Sequence, residues 1–324
     1  MKYFFGVDVG NTKTMGAICT SSGTVLCKIR GKGANFQTSG IEKSFKEIQK
    51  IVNKCLKIAK LTPQDIYYSF FGVAGADSDD DKKIVRTILN KLPLQNYDFE
   101  NDGRISLKAS TINDKGILIT CGTGTVAFAG NGKKIFRLGG LSTDFGDRLG
   151  AKYIASKVIS SIIRAKDGRG SLTKMVEILE NKINMPAENL MKIDYPDSSS
   201  EDDYVPLLIK VLFKAGEEYD SIALQLLIEI AEEIEIESRV LNSTAGLSGN
   251  IPLILDGHFF QNAGSFFYKM LNSRLPKNLD IVVPDCDPVV GALMIAIEKL
   301  EPLTDDVVSQ LKTSYKKREQ IILK

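Results

Sequence analysis

Two short segments rich in glycine and threonine constrain the fold of this chain more than any other feature of its sequence. They are Gly10-Asn-Thr-Lys-Thr14 and Gly122-Thr-Gly-Thr125, which begin about 112 residues apart in a chain of 324 residues. Each lies between the first two of three short apolar runs, at residues 3–9, 15–19 and 25–29 and at residues 116–120, 126–129 and 134–138. Each group of runs predicts an antiparallel three-stranded meander, and its recurrence predicts two duplicated domains.

The rest of the chain predicts helices and further strands around these meanders. Apolar residues at helical spacing predict helices over about 41–60, 77–92, 150–165, 171–183, 204–217 and 221–241. Further strands are predicted at 67–73, 251–255 and 281–283. We therefore predict an α/β protein with domains at 1–113 and 114–324 and a cleft between them. The second domain is enlarged by helices, and the last helix is a candidate for packing back on the first domain.

The first glycine–threonine segment has the chemistry of a phosphate site. Asp8 stands inside an apolar strand, where a charged carboxylate is costly unless it has a partner. A Mg²⁺ ion, bound directly or through water, would be such a partner. Glycine allows close approach of phosphate, the Thr12 hydroxyl and backbone N–H groups can bind its oxygens, and Lys13 adds positive charge. The alternative is an ordinary hairpin in which Asp8 caps the turn.

The second segment, at 122–125, offers another set of backbone N–H donors. Alone it is a weak signal, because most glycine-rich hairpins bind nothing. Two such turns in duplicated domains are more informative, because together they could hold a triphosphate from two sides.

Three further positions could bind or deprotonate a substrate that carries hydroxyl groups. Asp102 follows a short predicted strand, and a carboxylate there could take a proton from a substrate hydroxyl; the alternative is an Asx turn. Residues 139–147 contain two glycines and several polar side chains before a predicted helix, which suits a loop that binds a polyol. Its alternative is that Asp147 caps the helix. Asn35 is a loop amide that could hydrogen-bond a sugar or simply form a turn.

Composition excludes several classes of function. The net charge of +2, from 42 basic and 40 acidic residues, gives no field for gripping nucleic acid or an anionic membrane. No apolar run is long enough to span a membrane, and the amino-terminal strand is not expected to be a signal peptide. Five cysteines without a C-x-x-C pair indicate reduced thiols in a cytoplasmic protein. Acidic residues crowd helix 221–241, and we interpret them as its solvated face: Glu229, Glu232, Glu233, Glu235 and Glu237.

Taken in order, these motifs resemble the BadF/BadG/BcrA/BcrD type ATPase family, in the N-acetylglucosamine kinase-like branch of the actin/hexokinase superfamily. GVDVGNTKT resembles the family's first phosphate motif, D-G-G-G-T-K-T, and CGTGT resembles its second. The Asn101-Asp102 pair resembles the family's N-D pair, and GGLSTDFGD resembles its sugar loop G-G-W-G-x-x-x-G-D. GVAGA at 72–76, LDGHF at 255–259 and DPVVGA at 287–292 resemble the connecting, adenosine and closing motifs. The resemblance covers nearly the whole chain.

The resemblance implies a fold, an activity and a set of roles. The fold would be two duplicated ribonuclease H-like domains of the actin-like ATPases. The activity would be an ATP-dependent sugar kinase that uses Mg²⁺, phosphorylates an amino sugar, presumed at its 6-hydroxyl, and works as a homodimer. Asp8 would organise Mg²⁺, and Asp102 would be the catalytic base and contact the substrate. The implied ATP-binding residues are Gly10, Asn11, Thr12, Lys13, Gly122, Thr123, Gly124, Thr125 and Gly257. The implied sugar-binding residues are Asn35, Gly140, Leu141, Ser142 and Asp147.

Three departures from the family pattern affect the substrate more than the reaction. Asn11 replaces a glycine, which is tolerable because asparagine also adopts left-handed backbone conformations. Leu141 stands where sugar kinases often carry tryptophan, and Arg148-Leu149 replaces the usual Glu-Gly after Asp147. Room beside Leu141 and the charge of Arg148 would suit a bulkier acidic sugar such as N-acetylmuramic acid.

Two alternatives to a kinase follow from the same sequence. One is an ATPase activator of an acyl-CoA dehydratase or reductase, which would hold an iron–sulfur cluster through cysteines. No suitable cysteine pair is evident at a helix start. The other is a non-catalytic module that senses ATP or a sugar, which would not need Asp102.

Overall fold

Both glycine–threonine segments form the first turn of a meander in a computed structural model that describes residues 2–192 and 204–323. The strands are β1 Tyr3–Val9, β2 Lys13–Thr20, β3 Val25–Lys32, β4 Ile66–Val73, β5 Tyr97–Glu100, β6 Lys115–Cys121, β7 Thr125–Asn131, β8 Ile135–Leu138, β9 Ile251–Asp256, β10 Leu279–Val282 and β11 Gln320–Ile322. The helices are α1 Phe36–Ser39, α2 Ile41–Ala59, α3 Asp79–Leu89, α4 Asp102–Ser110, α5 Ala151–Lys166, α6 Met175–Ile183, α7 Tyr204–Glu217, α8 Ser221–Ala245, α9 His258–Asn262, α10 Ser265–Arg274, α11 Val289–Glu298 and α12 Asp305–Lys317.

The described chain forms two compact units. Unit 1 comprises Met1–Lys115 together with Pro284–Lys324, and unit 2 comprises Gly116–Val283. These units differ from the predicted ranges 1–113 and 114–324 at the carboxyl end, where α11, α12 and β11 all belong with unit 1.

The two sheets share one strand order. In unit 1 the order is β11-β3-β2-β1-β4-β5, and in unit 2 it is β10-β9-β6-β7-β8. Read from the meander outward, β3-β2-β1-β4-β5 therefore corresponds to β8-β7-β6-β9-β10. In unit 1, β1, β2 and β3 are antiparallel, while β4 and β5 are parallel to β1 and to each other. In unit 2, β9 is parallel to β6 and β10 is parallel to β9. This repetition confirms the predicted duplication.

Alternating side chains give the sheet of unit 1 two buried faces. Phe5 packs in the core beneath α2 and α3, and its neighbour Phe4 packs in a second core with α11 and α12. Successive residues of a strand point to opposite faces, so β1 contributes to both cores. The apolar run at residues 3–9 therefore correctly predicted a strand that is buried.

Helix α11 joins unit 1 because it has almost no polar surface. Every residue from Val289 to Ile297 is buried. Two glycines allow it to approach its neighbours closely. A Cβ added to Gly6 of β1 would lie 2.8 Å from the Leu293 nitrogen, and one added to Gly291 would overlap the Ile105 carbonyl of α4. The helix is therefore held between the sheet and α4.

Unit 2 carries six helices among its described residues, α5 to α10, in agreement with the predicted helical enlargement. Its core is one large apolar cluster in which α5, α7 and α8 pack together and α8 packs on β7 and β8. In the part of the chain that the structure describes, no helix combines the length and apolar character needed to cross a membrane.

Candidate functional site

The first glycine–threonine turn, between β1 and β2, is held at its base by the chain that follows β3. The Gly10 N–H donates to the Lys13 carbonyl at 3.0 Å, and the Ala34 N–H donates to the Gly10 carbonyl at 3.0 Å. Asn11 and Thr12 are exposed at the tip of the turn, whereas Asp8 is buried just before it, at 6% exposure. The turn therefore exposes Asn11 and Thr12 on a base that is fixed by hydrogen bonds.

Asn35 is bonded to this turn. Its Nδ2 donates to the Asn11 Oδ1 at 2.7 Å, and its Oδ1 accepts the Gln37 N–H at 2.9 Å. Asn35 thus caps α1 and is 4% exposed. The structure brings a residue predicted to bind sugar into contact with one predicted to bind ATP. A sugar that binds Asn35 would share its amide with Asn11.

Asp102 is the first residue of α4, a helix that the sequence analysis missed. The Asx interaction belongs to its neighbour: the Asn101 Oδ1 accepts the Gly103 N–H at 2.8 Å, and Asn101 Nδ2 donates to Asp77 at 2.6 Å. The Asx turn seen here is thus made by Asn101, and the alternative of an Asx turn at Asp102 stays a prediction. Asp102 is partly buried at the N-terminus of α4, and a helix N-terminus carries partial positive charge that favours a carboxylate.

The second glycine–threonine turn is hydrogen-bonded to the start of α5. The Gly122 carbonyl accepts the Ala151 N–H at 2.9 Å, and the Thr123 carbonyl accepts the Lys152 N–H at 3.2 Å. Thr125 is buried and its hydroxyl donates to the Thr120 carbonyl at 2.8 Å. Thr123 and Gly124 remain exposed. The turn is therefore rigid at its base and open at its tip, as the first turn is.

Gly257 lies directly against this second turn. Its φ of 111° favours glycine, and an added Cβ would overlap the Cys121 carbonyl. The predicted adenosine motif and the predicted second phosphate motif are thus neighbours within unit 2, although 135 residues separate Cys121 from Asp256 in the sequence. This juxtaposition depends on the parallel pairing of β6 with β9, in which Thr120 lies opposite Asp256.

The loop from Gly139 to Asp147 is organised by the Asp147 carboxylate. Its oxygens accept the backbone N–H groups of Gly140 at 3.2 Å, Leu141 at 2.8 Å and Ser142 at 2.7 Å. The loop needs such support because Ser142 has a φ of 106°, which is strained for a residue with a side chain. The predicted alternative of Asp147 as a helix cap is wrong, because α5 begins at Ala151 with Gly150 at its N-cap. Asp147 instead holds the candidate sugar loop in shape.

Leu141 and Arg148 have different surroundings. Leu141 is 65% exposed at the loop tip, and Phe145 in the same loop is 76% exposed. Arg148 lines a pocket of about 200 Å³ that it shares with Glu229, Glu232 and Glu233 of α8. Protein carboxylates therefore share the pocket with its guanidinium, which weakens the hypothesis that Arg148 is reserved for an acidic sugar.

Glu237 corrects the interpretation of the acidic residues of α8. It is 8% exposed and faces the interior rather than solvent. Burial, together with the charges of Glu233 and Asp147, raises the pKa of Glu237 to about 8. Helix α8 is buried on more than one side, because it packs on β7, β8, α7 and α10. Helical periodicity alone could not show that Glu237 lies inside.

Comparison with known proteins places this geometry in a family. Residues 5–296 match the BadF/BadG/BcrA/BcrD ATPase family. An N-acetyl-D-glucosamine kinase of Dictyostelium discoideum is 24% identical over 311 residues, covering 91% of this chain and 97% of the relative. An N-acetylmuramic acid/N-acetylglucosamine kinase of Clostridium acetobutylicum is 25% identical over 312 residues, covering 91% of this chain and 98% of the relative.

A solved structure supports the fold. A candidate N-acetylglucosamine kinase from Chromobacterium violaceum superimposes with a TM-score of 0.68 at 19% identity, covering 92% of this chain and 99% of that one. The ribonuclease H-like architecture expected from the resemblance is thereby confirmed. Because the family match spans most of the sequence, this chain belongs to the BadF/BadG/BcrA/BcrD ATPase family.

Proposed function

We propose that this chain is an ATP-dependent sugar kinase that phosphorylates an N-acetylated amino sugar, at the 6-hydroxyl. N-acetylglucosamine and N-acetylmuramic acid are the proposed substrates, because the two relatives are named as kinases of these sugars. The observation that carries the proposal is Asp102, which stands half-buried as the first residue of α4. A kinase needs such a base, whereas a sensor or an ATPase activator does not.

In the proposed reaction, Asp102 accepts the proton of the sugar hydroxyl. The hydroxyl oxygen forms a bond to the γ-phosphorus of ATP while the bond from that phosphorus to the β,γ-bridging oxygen breaks. ADP leaves with the electron pair of the broken bond. Positioning and charge neutralisation provide most of the rate acceleration in such transfers.

The two glycine–threonine turns are the proposed holders of the phosphates. The proposed phosphate-binding residues are Gly10, Asn11, Thr12 and Lys13 of the first turn and the residues at 122–125 of the second. Support comes from their shared build, with a tip that is exposed and a base that is hydrogen-bonded. Gly257, packed on the second turn, is proposed to admit the nucleoside.

Asp8 fits a magnesium site. It is a buried carboxylate beside the first turn, and Mg²⁺ is commonly held by one or two carboxylates, by water and by substrate phosphates. When bound, Mg²⁺ neutralises phosphate charge. Removal of Mg²⁺ with a chelator is expected to abolish turnover, and added Mg²⁺ is expected to restore it.

The Asp147 loop is the proposed sugar site. The Asp147 Oδ1 accepts one backbone N–H whereas Oδ2 accepts two. A carboxylate oxygen has more than one acceptor position, so Oδ1 can also accept a sugar hydroxyl. Gly140, which is partly exposed, and Leu141 and Ser142, which are exposed, are the other proposed sugar-binding residues of the loop. Asn35 is proposed as a further sugar-binding amide.

The decisive experiment measures ADP release from Mg-ATP against N-acetylglucosamine, N-acetylmuramic acid, glucosamine, glucose and N-acetylmannosamine. We expect turnover with an N-acetylated sugar, and a loss of at least about 100-fold in Asp102→Asn, as for removal of a general base. Asp98→Asn is the matched control, because Asp98 is a carboxylate of the same unit that pairs with Lys299 instead. Calorimetry should show that both variants still bind ATP.

The other outcomes separate the alternatives. Retained activity in Asp102→Asn would reject Asp102 as the base. ATP binding without turnover on any sugar would favour a sensor. The activator alternative has little support, because Cys19, Cys27, Cys55 and Cys121 are all buried, and burial raises the pKa of Cys286 to about 12. We also propose a homodimer, which light scattering of the purified protein tests.

A further inference from the structure

Lys13 of the first phosphate turn has a fixed partner outside the turn. Its Nζ donates to the Asp287 Oδ1 at 3.4 Å, across 274 positions of sequence within unit 1. Both side chains are about one-third exposed, at 35% and 34%. An ammonium has three N–H donors, so the pair orients Lys13 and leaves donors available.

Asp287 is itself held by a buried tyrosine. The Tyr315 hydroxyl donates to the other carboxylate oxygen, Oδ2, at 2.8 Å. Tyr315 is 2% exposed, and its burial together with the charge of Asp287 raises the pKa of the phenol. The phenol therefore stays protonated and donates, which fixes the direction of the Asp287 carboxylate.

Helix α12 keeps Tyr315 in place. The neighbouring Ser314 Oγ accepts the Val25 N–H at 2.8 Å, and the Arg318 guanidinium donates to the Val25 carbonyl at 2.6 and 3.0 Å. The Lys28 ammonium lies 4.3 Å from the centre of the Tyr315 ring. Each of these contacts ties α12 to β3, whose partner β2 begins with Lys13.

We propose that Asp287 and Tyr315 are positioning residues that orient the Lys13 ammonium for the phosphates of ATP. Helix α12 thereby supports nucleotide binding indirectly, because its contacts reach Lys13 through Asp287 and do not reach the nucleotide. The inference rests on the proposed ATP role of Lys13. The carboxylate also lowers the freedom of a long flexible side chain, so less entropy is lost when phosphate binds.

The test compares Asp287→Asn and Tyr315→Phe with Asp285→Asn. Asp285 is a carboxylate that also pairs with α12, through Lys312 at 3.5 Å, but it does not contact Lys13. We expect the KM for ATP to rise about threefold to tenfold in Asp287→Asn, and less in Tyr315→Phe, as for loss of a half-exposed charged contact. The KM for sugar should not change, and Asp285→Asn should match the wild type.

A double-mutant cycle shows whether Asp287 acts through Lys13. In a Lys13→Ala background, Asp287→Asn should change the KM for ATP by less than about twofold. The proposal is wrong if the factors by which Lys13→Ala and Asp287→Asn each raise the KM for ATP multiply in the double variant. It is also wrong if Asp287→Asn raises the KM for sugar as well as the KM for ATP. If the Tyr315→Phe variant does not unfold cooperatively on heating, the proposal is judged by the double-mutant cycle of Asp287 and Lys13 alone.

Calorimetric binding of ATP separates this inference from the proposed function. If no sugar is phosphorylated, the same cycle run on ATP affinity still tests the role of Asp287. If sugar kinase activity is present and ATP affinity does not respond to Asp287→Asn, only the positioning proposal is wrong.

Discussion

Glu237→Gln is expected to stabilise this protein, and to do so only at neutral and alkaline pH. Glu237 is 8% exposed, and within the described residues its Oε2 has no hydrogen-bond partner. Its pKa is raised to about 8, first by burial and then by the charges of Glu233 and Asp147. Glutamine has nearly the same shape but cannot ionise, so the substitution isolates the effect of the charge.

The sign follows from where the proton is bound. An unfolded chain releases the proton near the ordinary glutamate pKa of 4.5, whereas the folded protein keeps it until about pH 8. Between these values the folded state binds more protons, so the free energy of unfolding falls by about 1.4 kcal/mol per pH unit. This contribution is fully present below pH 4.5 and is lost as pH rises to about 8. By pH 7 the loss amounts to about 3 kcal/mol.

The assay is thermal melting of wild type and Glu237→Gln at pH 5 and pH 7. For a unit of this size, about 3 kcal/mol corresponds to an increase of roughly 5–10 °C in Tm. We expect that increase at pH 7 and less than about 2 °C at pH 5. Glu229→Gln is the control, because Glu229 is exposed on the same helix. Equal shifts at both pH values would refute the reasoning by showing that the effect does not depend on ionisation of Glu237. A destabilised variant at pH 7 would refute it by showing that Glu237 makes favourable contacts that glutamine cannot replace.

Three further predictions concern single contacts. Asp147→Ala removes the acceptor of three backbone N–H groups; the KM for sugar should rise at least about tenfold in initial-rate assays, and an equal rise for ATP would contradict a sugar-loop role. Gly257→Ala forces a Cβ into the Cys121 carbonyl; calorimetry should show ATP affinity reduced by about tenfold or more, and unchanged affinity would contradict the packing argument. Lys108→Ala removes hydrogen bonds of 2.7 Å to the Ile112 carbonyl and to Glu298; Tm should fall by an amount equivalent to about 2 kcal/mol, and an unchanged Tm would contradict it.

Local patterns in the sequence predicted the sheets well. The apolar runs around residues 3–29 and 116–138 predicted both meanders, because alternating burial and glycine turns leave a strong signal within a few residues. Helix α4 escaped prediction because DGRISLKAS is short and contains glycine and serine. Its place depends on α11, which packs against it from far along the chain. Strand β11 has three residues and forms only by pairing with β3.

The candidate site was predicted as a set of residues but not as a set of contacts. The residue types at Asp8, Asp102 and Asp147 led to their predicted roles. Nothing in the sequence indicated that Asp147 ties three backbone N–H groups, because that depends on left-handed backbone conformations in the loop. Asp287 was missed as the partner of Lys13 for a different reason, since a contact across 274 positions leaves no local pattern in the sequence.

The discontinuity of unit 1 has a consequence for how the protein is made. Unit 2 is one continuous stretch, Gly116–Val283, so all of its strands and helices are present once that stretch has left the ribosome. Unit 1 must wait for Pro284–Lys324, because α11 covers one face of its sheet and β11 lengthens its edge. During that interval the apolar side chains of β1 and β2 lack their cover, which exposes a nascent chain to aggregation. If translation ended before Pro284, the released chain would therefore contain all of unit 2 but only part of unit 1.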